Sequence, residues 1–124
     1  MLSVTNTPDG DNGIRDVHMS SILYMRWDSR LDRVVLYTIE GLFYLPGPLV
    51  YWQNAMNSMG YKFLKVDRST IINSDNIIKV DQIYKEAFFE YNVSRDSVKC
   101  EIAHHRYRKF MKELQIMNPS VILT

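Results

Sequence analysis

Arg68 and Ser69 interrupt an otherwise apolar stretch, FLKVDRSTIIN, Phe63–Asn73, and the interruption is where recognition chemistry concentrates. A guanidinium offers a planar fork of donors that matches guanine O6 and N7, or a phosphate. The Ser69 hydroxyl can bond a phosphate or cap a short helical turn. A second concentration is HHRYRKFMK, His104–Lys112, where Arg106, Arg108, Lys109 and Lys112 fall with no acid among them. Cations in such a run attract phosphates and position a domain on them without reading sequence. Asn73 sits between apolar residues, and its side chain suits turn capping better than base contact.

Other chemistries lack their signatures. The chain has no GxSxG, no GxxxxGK[ST], no GxGxxG and no HExxH, so no nucleophile elbow, phosphate cradle or zinc-protease helix is expected. Its five glycines are scattered, and none opens a helix after a strand as a pyrophosphate loop does. Cys100, His104 and His105 lie close in sequence, but zinc sites take three or four ligands and His18 is the only other histidine. Cys100 reads instead as a small buried hydrophobe. No catalytic residue, metal or cofactor is assigned, and an enzyme is not expected.

These groups need a scaffold, and the pattern describes one. With 124 residues, 46% hydrophobic and 23% charged, the chain has the size and balance of one globular domain. Its apolar runs are too short to span a bilayer, its N-terminus lacks a signal-peptide pattern, and its single cysteine suits a reducing, cytoplasmic setting. Fifteen basic and fourteen acidic residues give +1, unevenly spread. Residues 1–59 carry four basic and six acidic side chains, a net of −2; residues 60–124 carry eleven and eight, a net of +3.

Residues 1–16 are rich in Asp, Asn, Gly and Thr and read as a mobile tail. From Ser20, SILYMRW is a strand broken at Asp28-Ser29-Arg30, and RVVLYTIEGLFYL is two strands hinged at Glu40-Gly41. After Pro46-Gly47-Pro48, the spacing of Leu49, Trp52, Met56 and Met59 predicts a helix with a core-facing stripe, stopped at Gly60. Strands are expected at Phe63–Val66, Ile77–Ile83, Ala87–Tyr91 and Val98–Ile102. A final helix is expected from about Ala103, with Tyr107, Phe110, Met111 and Leu114 on its apolar face. The expected architecture is mainly β with a short central helix and a C-terminal helix: a domain over 17–118, with a short tail at 119–124.

FLKVDRSTIINSDNI resembles the signature of LytTR-type DNA-binding domains, roughly aromatic-x-Arg-Val-His-Arg-Ser-x-Ile-Val-Asn with an apolar Ile a few residues on. Phe63, Val66, Arg68, Ser69, Ile71, Asn73 and Ile77 match; Lys65 stands for Arg, Ile72 for Val and Asp67 for His. LYMRWDSRLDRVVLYTIEG, PLVYWQNAMNSMGYKF and EIAHHRYRKFMKEL resemble the family's opening strands, short helix, and closing strand and helix, so the likeness runs from about Ser20 to Leu114.

The resemblance implies small packed β-sheets that dock on double-stranded DNA through loops. In bacterial-type regulators of this kind, side chains enter successive major grooves, usually on repeated half-sites that two copies occupy. Carried over by position, the DNA-facing residues are Ser29, Arg30, Asp32 and Arg33; Arg68 and Ser69; and His104, His105, Arg106 and Lys109, beside Ala103. His104 and His105 replace frequent family arginines, and Asp32 and Asp67 put negative charge beside two of the loops. A neutral histidine attracts phosphate little, and gains charge as pH falls.

The reading is a sequence-specific, double-stranded DNA-binding transcription regulator, forming a homodimer on DNA. The alternative is a LytTR-like protein-interaction module or antagonist that has lost specific DNA binding. About twenty residues precede Ser20, too few for the family's usual receiver domain, so the expected input is a membrane-bound inhibitor, a regulatory protein partner or expression level. No membrane insertion is expected.

Overall fold

The computed structural model describes the whole chain, Met1–Thr124. Its strands are built where β-branched and aromatic residues cluster. Strands β1 (Leu2–Thr5), β2 (Ile14–Val17), β3 (Ile22–Asp28), β4 (Arg33–Thr38), β5 (Gly41–Leu45), β6 (Phe63–Asp67) and β7 (Thr70–Asn73) form one antiparallel sheet, ordered β2-β1-β5-β4-β3-β7-β6. A second sheet, β10-β9-β8-β11, is made of β8 (Lys79–Asp81), β9 (Glu86–Phe88), β10 (Lys99–Glu101) and β11 (Ile122–Leu123), with β11 parallel to β8. Helices α1 (Leu49–Ser58) and α2 (Tyr107–Met117) complete the fold. Neither helix is long and apolar enough to cross a membrane.

The middle of the large sheet, at β3, β4 and β7, is buried on both faces, which explains why these strands read as unbroken apolar runs. In β7 every residue from Thr70 to Asn73 is buried. Successive residues feed opposite cores: Met25, Phe63 and Ile71 join the cluster under α1, whereas Tyr24, Leu64 and Ile72 join the cluster with α2 and the small sheet. A bulge between Ile22 and Tyr24 turns Leu23 onto the same side as Tyr24. Phe110 and Leu114 anchor α2 in that second core at 2% and 0% exposure. Burying side chains of this size contributes about 1.5–3 kcal/mol each.

Several expectations hold in detail. The hairpin at Glu40-Gly41 forms; Thr38 Oγ1 donates to Gly41 O (2.8 Å) and accepts from Glu40 N (3.1 Å). Asn73 is structural: it is 3% exposed, and its Nδ2 donates to Ile22 O at 3.0 Å. Cys100 packs in the second core, and burial pushes its thiol pKa up to about 12.

Others are corrected. Residues 1–16, read as a mobile tail, instead contribute β1 and most of β2, with Val4 and Val17 buried at 2% and 3%. Polar composition hid this because only one face of that hairpin meets the core. The end of the chain is likewise engaged: β11 pairs with β8, and Asn118 Nδ2 donates to Ser74 O (2.9 Å) and Ile77 O (3.0 Å). Met59 leaves the α1 stripe and is 70% exposed, because the helix ends at Ser58 and Gly60 takes a positive φ of 96°. The expected strand Ile77–Ile83 narrows to β8, since Asp81 Oδ1 accepts from both Ile83 N and Tyr84 N at 2.9 Å and turns the chain.

Candidate nucleic-acid interface

The loop between β3 and β4 is shaped by its own acids. Asp28 Oδ1 accepts from the amides of Arg30 (3.0 Å) and Leu31 (3.1 Å), folding residues 28–31 into a tight turn. Asp32 then takes a left-handed conformation, φ 55°, which Asp tolerates better than most residues. Arg33 Nη1 donates to Asp32 O at 2.7 Å and lies 4.0 Å from the Asp32 carboxylate. Both side chains reach solvent, so this pair holds Arg33 only loosely.

Arg68 and Ser69 form the tight turn between β6 and β7. Asp67 Oδ1 accepts from Arg68 N at 2.6 Å, and a register shift between Lys65 and Asp67 bends the strand into the turn. Asp67 is therefore structural where the family signature carries His. The turn is stapled to its neighbours by backbone bonds: Trp27 N donates to Ser69 O (2.9 Å), and Ala103 N donates to Val66 O (2.8 Å). The second bond anchors the start of the final helical segment, where a 3₁₀ turn at His104–Arg106 runs into α2. Segments distant in sequence are thus fixed side by side.

A hollow of about 730 Å³ opens between the first two loops and is lined by Ser29, Asp32, Arg33, Arg68 and Ser69. The Pro46-Gly47-Pro48 segment and Trp27 also line it. Gly47 is required by contact: a Cβ there would lie 2.5 Å from the Trp27 ring. Arg106 and Lys109 line a separate hollow of about 310 Å³ between α1 and α2, with Lys65, Gln53, Asn57 and one acid, Glu113. Arg106 Nε is buried there without a hydrogen-bond partner. Arg30, His104 and His105 are exposed and line neither hollow.

Sequence reasoning missed Asp28, which shapes the first loop, and Lys65, which adds a cation beside Arg106 and Lys109. The signal for Lys65 was present: an exposed cation between the buried Leu64 and Val66 of an edge strand. Together the loops present guanidinium forks at Arg33 and Arg68, and a bank of ammonium and guanidinium groups at Lys65, Arg106 and Lys109. Such an arrangement can hold an anionic polymer and read a base edge.

A family model for the LytTr DNA-binding domain matches residues 12–115. Among solved structures, the chain is similar to a LytTr DNA-binding domain from Bacillus cereus, with a TM-score of 0.66 and 13% identity over 91% of this chain and 94% of that one. At that identity the likeness is one of fold. No curated protein matches the chain.

Proposed function

The chain belongs to the family of LytTr DNA-binding domains, and on that premise we propose that it is a transcription regulator reading double-stranded DNA through major-groove contacts. One observation carries the reading: Arg33 and Arg68 line a shared hollow, while backbone bonds tie Ser69 to Trp27 of β3 and Val66 of β6 to Ala103. Rigid placement matters because a base-reading side chain works only within a narrow range of positions.

In this reading Arg68 bonds a guanine edge. Arg30 and Arg33 flank it on the sugar-phosphate backbone, and Ser29, Ser69, His104 and His105 supply hydrogen bonds to phosphate or base. Arg106, Lys109 and Lys65 hold the adjacent backbone through their exposed cationic ends. Asp32 accepts from a base amine or restrains Arg33. Two copies occupy repeated half-sites, and the setting is cytoplasmic.

Selection of binding sites from a random duplex pool at near-physiological salt tests it. The expected outcome is a repeated motif with half-sites about one helical turn apart, lost in Arg68→Ala. Weak, salt-sensitive binding without enrichment would refute specific reading and leave a protein-interaction role for the same fold.

A further inference from the structure

At the end of the large sheet away from the Arg33 and Arg68 loops, the molecule carries a further, differently charged hollow. Its volume is about 530 Å³, and its apolar walls include Ile39, Ile78, Phe89 and Val98, with Asp75 and Glu90 at its edge. Ile39 and Val98 are 73% and 43% exposed. Large apolar groups gathered around one concavity give a partner apolar surface to cover.

Register gives its position. Ile22 pairs with Thr38 at one end of the β3–β4 ladder, and Asp28 pairs with Arg33 at the other. Six residue steps at about 3.3 Å separate the two ends by roughly 20 Å. A duplex held by the Arg33 and Arg68 loops leaves this end open.

Charge decides the occupant. No Lys or Arg lines the hollow. Asp75 has only Lys62, 4.0 Å away with both side chains about half exposed, and Glu90 is in no ion pair. Glu40, next to Ile39, is exposed too. Phosphates are repelled here, and a two-fold contact with a second copy would bring two acidic surfaces together with no cation lining either hollow.

We propose that this hollow docks a protein partner through a segment bearing aliphatic side chains flanked by Lys or Arg, while DNA occupies the opposite end. The aliphatic groups fill the space between Ile39, Phe89 and Val98, and the cations meet Asp75 and Glu90. Apolar anchors of this kind dominate affinity, and the rim charges set the choice of partner.

The test is to pan a phage-displayed random peptide library against the chain, in parallel with and without the duplex recovered by site selection. Enrichment of peptides with paired aliphatic residues beside Lys or Arg is expected in both arms. A labelled synthetic copy should bind about tenfold more weakly to Ile39→Asp and to Val98→Asp, and more weakly to Glu90→Lys, with DNA affinity unchanged in all three. Both apolar positions are exposed, and circular dichroism melting checks that each variant folds. Acidic peptides, displacement of the peptide by DNA, indifference to both aspartate variants, or no enrichment would overturn the proposal. So would self-association in sedimentation equilibrium that Ile39→Asp abolishes. The arm without DNA stands apart from the DNA-reading proposal, so failure of one leaves the other decided on its own result.

Discussion

Asp28 separates two accounts of the acids near the loops proposed to meet DNA. If its carboxylate acts only as a charge, removing it should tighten DNA binding, because a negative group near phosphates costs up to about 1 kcal/mol in a screened aqueous setting. The structure gives it another role, since Oδ1 holds the amides of Arg30 and Leu31 at 3.0 and 3.1 Å. Each such bond contributes about 1 kcal/mol net, so Asp28→Ala releases the loop at a cost of about 2 kcal/mol. Binding must then restore the order that was lost. The loop term exceeds the charge term by about 1 kcal/mol, and Asp28→Ala should bind roughly fivefold more weakly.

Asp28→Asn keeps an acceptor at Oδ1 and removes the charge, so it should bind as tightly as the parent or a few-fold tighter. The assay is fluorescence anisotropy on the selected duplex at several salt concentrations, with hydrogen exchange on residues 29–32 reporting loop order. Equal tightening in both variants would refute the structural role. Equal weakening would show that the carboxylate itself contacts DNA.

Arg68→Ala should cost about 1–3 kcal/mol on the selected site and relax preference at one base pair, read by competition among single-base variants. Lys109→Ala and Lys65→Ala should instead weaken all sequences alike, each lowering the slope of log K against log salt by about one. Gly47→Ala drives a methyl into the Trp27 ring at 2.5 Å; overpacking of this kind costs about 1–3 kcal/mol, and an unchanged Tm would refute the contact. Cys100 titrates in the unfolded chain near 9.0 but only at about 12 when folded. Its contribution is therefore complete below pH 9 and is lost as pH rises toward 12, by up to about 1.4 kcal/mol per unit. Urea midpoints at pH 8, 9 and 10 should fall accordingly, and Cys100→Ala should flatten that slope.

Local pattern alone determined much of this protein. The β-branched and aromatic runs of β3 to β5, the Glu40-Gly41 hinge and the apolar face of α2 follow from short-range sterics and periodicity, which a sequence displays directly. So does the Arg68-Ser69 turn, since two polar residues between runs that must both be buried have nowhere else to lie. What failed depended on partners far along the chain. The polar segment before Ile14 becomes a strand because β5 offers a free edge at Tyr44, and Val4 finds a core there. The closing residues order because β8 supplies a parallel neighbour.

The grouping of candidate contacts was also beyond the sequence. That Arg33 shares a hollow with Arg68, while Arg106 and Lys109 share another with Lys65, follows from sheet order and two backbone bonds. Asp28 was overlooked and Asp67 misjudged for a related reason. Asp67 read as a charge opposes an anionic ligand, but the oxygens of both residues accept the amides that shape the loops. Residue type determines what a group can do. Only the folded chain decides which neighbour it does it to, because hydrogen bonding and burial are properties of position in space.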